Sequence, residues 1–227
     1  MAMRLWIAVC GLAIALRAQA PQADKQEYLR LLDELRAAIR ADDWAEASRI
    51  SIRLNAELLD KRTRSQATPE LELQHLEMLA GRDASTRNPL LARLAKAAFA
   101  TGDIQRAQGL ANEALEAAHH GVFWWTGDAI HQGNIVLGRI ALARSDIEGA
   151  KRYLLAAGRT PGSSSLDSLG PNMRLAKDLL ERGEKDCVLE YLEECGRFWT
   201  GNRGKLPEWI ALIKAGLKPD FGRNLDY

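Results

Sequence analysis

Three histidines and one aspartate form the cluster with the richest ligand chemistry in the sequence. His119, His120 and His131, with Asp128 between them, supply the imidazole and carboxylate groups that bind transition metals in proteins. Adjacent histidine side chains point to different sides of a helix, so a shared metal site would require a particular loop shape. We therefore expect no metal and no other cofactor, and we interpret these histidines as groups that suit the negative end of a helix.

Phe123, Trp124 and Trp125 form an aromatic patch in a chain whose aromatic content is only 6%. Rings in such a run commonly fill the space beside a long connection between helices, and we favour this interpretation. The alternative is an exposed platform that stacks on a partner side chain or on a sugar ring. Burial of the rings distinguishes the two.

No catalytic motif is present in the sequence. It contains no phosphate-binding glycine loop before a lysine, no His-Glu-x-x-His, no Gly-x-Ser-x-Gly and no paired-cysteine zinc spacing. Cys187 and Cys195 lie eight residues apart on one predicted helix. That spacing is about 12 Å, which is too far for a disulfide. We interpret both as small core residues, and we expect the protein not to be an enzyme.

The composition indicates a helical protein. The 227 residues are 47% hydrophobic and 27% charged, which is enough to bury a core. Because 31 basic residues nearly balance 30 acidic ones, the chain has no overall attraction to nucleic acid, and we expect no such partner. Alanine and leucine are abundant and β-branched residues are sparse, which predicts an all-α fold.

Four short polar turns divide the chain into helical hairpins. From Lys25 onward, apolar residues recur at intervals of three and four. In each turn a glycine or small polar residue ends one helix and an acidic residue opens the next. The turns are residues 41–44, 101–104, 144–147 and 182–185. A further helix is predicted from Pro69 to Leu79, and a last helix from Leu206 to Ala215 is expected to cover the end of the stack.

Small residues recur at matching positions of these hairpins, where two helices must approach closely. They are Ala95, Gly138 and Ala176 on the first helices, Ala47, Ala107, Ala150 and Val188 on the second, and then Ala114, Ala157 and Cys195. This pattern resembles the tetratricopeptide repeat family, best over 90–118 and 132–162, fairly over 170–199 and weakly over 27–60. Successive turns lie 60, 43 and 38 residues apart instead of the family's 34. The resemblance therefore implies an irregular superhelix of antiparallel helical hairpins with a C-terminal capping helix.

The resemblance also implies a binding groove. In that family the residue after the first small residue of each hairpin faces a concave groove, and here this residue is basic. The partner-binding residues so implied are Arg36, Lys96, Phe99, Asn134, Arg139, Asn172 and Lys177. Cations and amides bond carboxylate oxygens, so the groove suits an acidic or C-terminal peptide of another protein. The alternative is that these side chains are solvated or paired with neighbouring carboxylates.

The first twenty residues are typical of a secretory signal peptide. Arg4 precedes an apolar stretch from Leu5 to Leu16, and Ala18-Gln19-Ala20 is a small-x-small cleavage site. The stretch is too short for a stable membrane span, which needs roughly 20 apolar residues. We expect cleavage near Ala20 and an exported protein, periplasmic or secreted, without stable membrane insertion. Cys10 is a poor match to a lipoprotein signal, so we expect no lipidation.

These patterns predict a signal peptide over 1–20, a helical repeat domain over 21–217 and a C-terminal tail over 218–227. They favour a non-enzymatic scaffold of the cell envelope that binds a protein or peptide. One alternative is a glycan or envelope-polymer binder that uses exposed aromatic rings. A second is an enzyme assembled from scattered residues such as His131, Asp128 and Arg139. A third is an intracellular scaffold, if the first twenty residues are not a signal peptide.

Overall fold

The protein is all helical in the part of the chain that the computed structural model describes. The described residues are 30, 31, 33–35, 37, 38, 40, 41, 43, 46, 49, 50, 68–81, 83–121 and 123–225. Every regular element in these ranges is a helix and none is a strand, which confirms the all-α prediction. By internal packing the chain divides into two compact units, Met1–Gly81 and Arg82–Tyr227.

In the first unit, helix α1 covers Pro69–Ala80, which confirms the helix predicted there. The Thr68 hydroxyl accepts a 3.4 Å hydrogen bond from the Leu71 N–H and so caps the first turn. Pro69 fits this turn because a first-turn N–H has no partner within the helix. Leu73 and Leu76 are buried. Helical backbone also occurs among the described residues between 30 and 50.

The second unit is built mainly from three helical hairpins. Its helices are α2 (Ala84–Arg87), α3 (Leu91–Ala100), α4 (Ile104–His119), α5 (Thr126–Ala143), α6 (Ile147–Gly158), α7 (Ser164–Leu169), α8 (Arg174–Leu180), α9 (Lys185–Cys195) and α10 (Lys205–Lys214). Short 3-10 turns cover Asn88–Leu90 and Gly222–Leu225. The hairpins pair α3 with α4, α5 with α6, and α8 with α9. Because α3 packs against α5 and α5 packs against α8, the three first helices lie next to one another in chain order.

The predicted small residues lie in the interior of this unit. All of those that the structure describes are buried: Ala95, Ala107, Ala114, Gly138, Ala150, Ala157, Ala176, Val188 and Cys195. Ala47 lies outside the described residues. At Gly138 a Cβ atom would overlap Leu175 Cδ2 on α8 and lie 3.1 Å from Tyr153 Cβ on α6. The missing side chain at 138 therefore lets α5 approach both neighbours.

The three hairpin turns of this unit share one backbone geometry. The N–H of the acidic residue bonds to a carbonyl five residues earlier: Asp103 to Ala98 at 3.1 Å, Asp146 to Ala141 at 2.9 Å, and Glu184 to Leu179 at 3.1 Å. The preceding residue has a positive φ in each case, 85° at Gly102, 62° at Ser145 and 88° at Gly183. The carboxylates of Asp103 and Asp146 then cap the second helix.

The C-terminal part of the chain covers the end of the last hairpin. Helix α10 packs against α9 and buries Leu206, Trp209 and Ile213, at the position predicted for the last helix. The described residues from 218 to 225, expected as a tail, fold back onto the unit. Phe221 is buried with its ring centre 5.0 Å from that of Trp209. Helix α7 begins within residues 160–165, a stretch that contains glycine and serine, and no helix was predicted there.

Candidate functional site

An arginine on α5 contacts side chains of both neighbouring first helices. The Arg139 guanidinium carbon lies 4.6 Å from the centre of the Phe99 ring on α3. Its Nε lies 3.5 Å from Asp178 Oδ2 on α8. Phe99, Arg139 and Asp178 therefore form a row across three helices, which we call the inner row. The side chains of Arg139 and Asp178 keep 31% and 26% of their surface exposed, so the row is accessible to a ligand.

The guanidinium of Arg139 is incompletely paired. Its Nε is buried, and the 3.5 Å approach of Asp178 Oδ2 is an ion pair outside good hydrogen-bond geometry. Loss of solvation lowers the pKa of Arg139 below its ordinary value. The negative Asp178 opposes this shift, whereas the positive Arg174 adds to it. The inner row thus carries a desolvated cation with unused hydrogen-bonding capacity, beside a second cation.

The other predicted basic residues differ in their surroundings. Lys96 is half-buried on α3. Lys177 Nζ lies 2.7 Å from Oε1 of Glu181, the residue that follows α8, so this lysine is paired with a neighbouring carboxylate. Arg36 lies outside the described residues. Arg139 is therefore the predicted cation whose environment is best suited to a ligand anion.

The two predicted asparagines are buried and bonded within the protein. Asn134 Nδ2 donates to the Ile130 carbonyl of its own helix at 2.8 Å. The Asn172 N–H donates to His131 Nε2 at 2.9 Å, and Asn172 Nδ2 donates to Gln132 Oε1 at 3.2 Å. Amides used in this way fix the position of helices. We leave both out of the binding surface proposed below.

His131 is buried where α5, α6 and the start of α8 meet. Its Nδ1 lies 3.0 Å from the Ala157 carbonyl, and its Nε2 accepts the Asn172 N–H. Because Nε2 is an acceptor, we assign the ring proton to Nδ1, which donates to Ala157. Burial lowers the pKa of His131 to about 4, so the ring is neutral at neutral pH. Both nitrogens are engaged by backbone groups.

The other two histidines of the predicted cluster lie at the exposed end of α4. His120 Nε2 is 3.2 Å from Glu116 Oε1, and His119 occupies the last turn of the helix. Both positions agree with the interpretation that these histidines suit the negative end of the helix. Asp128 is half-buried on α5. No group of three His, Cys, Asp or Glu side chains in the described ranges could hold a metal ion.

The aromatic patch is divided between interior and surface. Trp125 is 6% exposed, whereas Phe123 is 48% and Trp124 is 64% exposed. The Phe123 and Trp125 rings are nearly parallel, with centres 5.1 Å apart. The Thr126 hydroxyl accepts the Phe123 N–H at 2.8 Å and donates to the Gly121 carbonyl at 3.3 Å. One ring therefore fills space as expected, and the other two are displayed on a hydrogen-bonded loop.

A charged cleft of about 370 Å³ lies between α6 and α9. Lys151 Nζ bridges Glu148 Oε1 at 2.8 Å and Glu184 Oε2 at 3.1 Å at its edge. The Cys187 thiol also lines the cleft, and burial raises the pKa of Cys187 to about 11. Cys187 and Cys195 are both free thiols in the interior, which agrees with their interpretation as core residues. A thiol protonated in this way is a poor nucleophile.

Comparison of the chain with protein-family models, curated proteins and solved structures finds no match. Among the helices of the described residues, none is long and apolar enough to cross a bilayer.

Asp178 of the inner row and its neighbour Arg174 were not singled out in the sequence. Asp178 and Arg174 are four residues apart on α8 and so lie on one helix face. That spacing is a signal that the sequence offers. The repeat resemblance pointed to a basic residue at one position of each hairpin. Asp178 lies directly after Lys177, the basic residue expected there, so an acidic residue at 178 was not considered.

Proposed function

We propose that this protein is a scaffold of stacked, tetratricopeptide-like hairpins that binds an acidic segment of another protein and performs no chemistry itself. The binding surface in this proposal is the inner row together with Lys96 and Lys177. The exposed charge and the aromatic ring of this surface come from successive hairpins. A partner would therefore bind along the stack and contact several repeats.

Three features support the stacked-hairpin part of the proposal. The first helices lie side by side, the three turns share one hydrogen-bond pattern, and the small residues predicted from the repeat resemblance are buried between helices. A stack built from repeated units offers a long surface that no single hairpin has. Such surfaces are commonly used for recognition of peptides and proteins.

The contact of Arg139 with both Phe99 and Asp178 is the observation that carries the binding part. A guanidinium above an aromatic ring is held in orientation by the cation–π attraction. Its N–H groups lie in the guanidinium plane and suit the two oxygens of a carboxylate. Since Nε makes no well-aligned hydrogen bond to a described residue, a carboxylate that reached it would satisfy a buried donor.

Fluorescence anisotropy with a defined probe tests this function. The probe is a labelled decapeptide that alternates glutamate and leucine, titrated with the full chain at low salt. We expect saturable binding that weakens as salt is added, because charge attraction is screened. Arg139→Gln should weaken binding by about tenfold, the effect of losing one charge-assisted contact of about 1.4 kcal/mol.

Arg152→Gln is the matched control, since it removes an exposed guanidinium from the second helix α6. It should leave probe affinity unchanged. Equal affinity for a peptide with lysine in place of glutamate would contradict the proposed acidic partner. So would an Arg139→Gln protein that melts like wild type and binds the acidic peptide equally well.

We propose further that the scaffold works outside the cytoplasm. This part rests on the signal-like pattern of the first twenty residues, from Arg4 to Ala20. N-terminal sequencing of the protein from an extracytoplasmic fraction should begin near Pro21. A protein that retains Met1 and stays in the cytosol would refute export and leave the intracellular scaffold.

The exposed rings of Phe123 and Trp124 favour a second candidate, a binder of glycan or envelope polymer. Flat aromatic faces displayed on an ordered loop are suited to stacking on sugar rings. Co-sedimentation with purified peptidoglycan tests it. Trp124→Ala should abolish sedimentation, whereas Leu217→Ala, which truncates another exposed apolar side chain, should not. Absence of wild-type protein from the pellet removes peptidoglycan as a ligand.

A further inference from the structure

Asp178 occupies the side of Arg139 that a partner carboxylate would use. Its Oδ2 lies 3.5 Å from Arg139 Nε, close enough for charge attraction but outside good hydrogen-bond geometry. The Asp178 side chain is 26% exposed, so it is neither locked in the interior nor fully solvated. The carboxylate therefore neutralises the guanidinium without satisfying its donor.

The positive charge of Arg174 also acts on Arg139. Arg174 lies one helical turn before Asp178 on α8, and its charge disfavours the protonated form of Arg139. The Arg174 Nε also donates to the Leu225 carbonyl at 3.2 Å, which holds the Arg174 side chain against the C-terminal segment. The guanidinium groups of Arg139 and Arg174, on neighbouring helices, therefore repel each other.

We propose that Asp178 is an internal competitor that the acidic side chain of a partner must displace from Arg139. This inference rests on the function proposed above and names the residue that sets its specificity. A partner carboxylate that reaches Arg139 with both oxygens gains two charge-assisted hydrogen bonds, whereas Asp178 makes only an ion pair. Weakly acidic or poorly placed segments are rejected because they cannot offset the lost attraction of Asp178.

Removal of the Asp178 charge tests the competition with the same alternating glutamate–leucine probe and the full chain. Asp178→Asn should tighten binding by about fivefold, which corresponds to about 1 kcal/mol. Asp186→Asn is the matched control, since it removes an exposed carboxylate from α9. It should not change the affinity. Asp178→Ser serves as a second variant if the asparagine protein does not melt cooperatively.

A double-mutant cycle then locates the effect. If Asp178 competes at Arg139, Asp178→Asn should no longer tighten binding in an Arg139→Gln background. Tightening that persists there would overturn the proposal, because the carboxylate would then act on another cation. Weaker binding by Asp178→Asn alone would also overturn it and would make Asp178 a positioning residue for Arg139.

The remaining outcomes separate this proposal from the function on which it rests. If wild type binds, Arg139→Gln loses binding and Asp178→Asn matches wild type, the competition is wrong and the proposed function stands. If only the Asp178→Asn protein binds, the competition is supported in its strongest form. If neither wild type nor the Asp178 variants bind, both proposals fail.

Discussion

At the scale of single residues, one neutral imidazole joins three parts of the second unit. His131 on α5 donates to the Ala157 carbonyl on α6 and accepts the Asn172 N–H before α8. Asn172 extends this hydrogen-bond network to α9, because its backbone carbonyl accepts the Tyr191 hydroxyl at 2.9 Å. The ring also lies against Tyr191 and Phe198, with ring centres 6.4 Å and 6.1 Å away. Protonation would place a charge among apolar rings and remove the acceptor that Asn172 uses.

We expect acid to destabilise the fold through His131. Its pKa is about 4 in the folded protein and 6.5 in the unfolded chain, so the unfolded chain binds more protons between these values. Stability is therefore fully present above pH 6.5 and falls as the pH drops toward 4. The loss amounts to about 3 kcal/mol at about 1.4 kcal/mol for each pH unit. Urea unfolding at several pH values measures it.

Two variants isolate this effect from other titrating groups. His131→Leu should cost about 2–4 kcal/mol at pH 7, because it leaves the Ala157 carbonyl and the Asn172 N–H without partners. Its deficit relative to wild type should shrink as the pH falls. Leu154→Ala, which truncates a buried apolar side chain and removes no titrating group, should lower stability by a similar amount at every pH from 7 to 4.5. A wild-type profile that remains flat from pH 7 to 4.5 would contradict the buried neutral ring.

Ser145 is a second single residue with a testable consequence. It adopts φ 62° in the turn between α5 and α6, where the equivalent turns have Gly102 and Gly183. A side chain in this left-handed region costs about 1 kcal/mol, and glycine loses part of that gain through its freer unfolded chain. Ser145→Gly should therefore raise stability by about 0.5 kcal/mol in thermal unfolding.

The reverse change at the equivalent turn checks the argument. Gly102→Ala adds a Cβ with no neighbouring atom within 4 Å, so only the backbone conformation at φ 85° opposes it. It should lower stability by about 1 kcal/mol. If alanine is tolerated at 102 without loss, the strain assigned to Ser145 is not present.

At the scale of helices, the local patterns and the hairpins were predictable, and the side-chain pairings between different hairpins were not. The helix that begins at Pro69 and the small residues such as Ala95 and Ala150 follow from local spacing, and the structure contains them as expected. Helix α7 is six residues long, too short to show an apolar period within a glycine and serine stretch. Pairing of Arg139 with Asp178 depends on how α5 and α8 pack, which composition and periodicity do not specify.

Close packing of α5 depends on Gly138, and a substitution there should be costly. A Cβ at 138 would overlap Leu175 Cδ2, which can move, but it would also press on Tyr153 Cβ, which cannot easily do so. Gly138→Ala should lower stability by about 1–3 kcal/mol, the usual cost of overpacking. Chemical denaturation with tryptophan fluorescence measures the change.

Gly109 provides the opposite case on a helix of similar length. It is exposed in α4, and a Cβ there meets no atom within 4 Å. Gly109→Ala should raise stability by about 0.5–1 kcal/mol, because alanine is the better helix former. Equal effects at 109 and 138 would mean that helix propensity, and not the approach of α5 to α6 and α8, decides both.

At the scale of the whole second unit, residues distant in sequence close the structure. Asn224 is 2% exposed, and its Nδ2 donates to the Leu169 carbonyl at 3.1 Å and to the Pro171 carbonyl at 2.9 Å. The backbone carbonyl of Asn224 accepts the Met173 N–H at 2.8 Å. One asparagine therefore replaces three hydrogen bonds that water would otherwise make at the start of α8. The apolar core continues through Trp209 to the same segment.

Removal of the Asn224 side chain should loosen this closure selectively. Asn224→Ala leaves the Leu169 and Pro171 carbonyls without their donor and should lower stability by about 2 kcal/mol. Amide hydrogen exchange should accelerate at Met173, since the segment that accepts its N–H is released, while amides in the middle of α4 keep their protection. Arg223→Ala, at an exposed neighbour, should change neither quantity. If Met173 exchanges at the wild-type rate in Asn224→Ala, the other contacts of the segment are sufficient to keep α8 covered, among them the packing of Phe221 on Trp209.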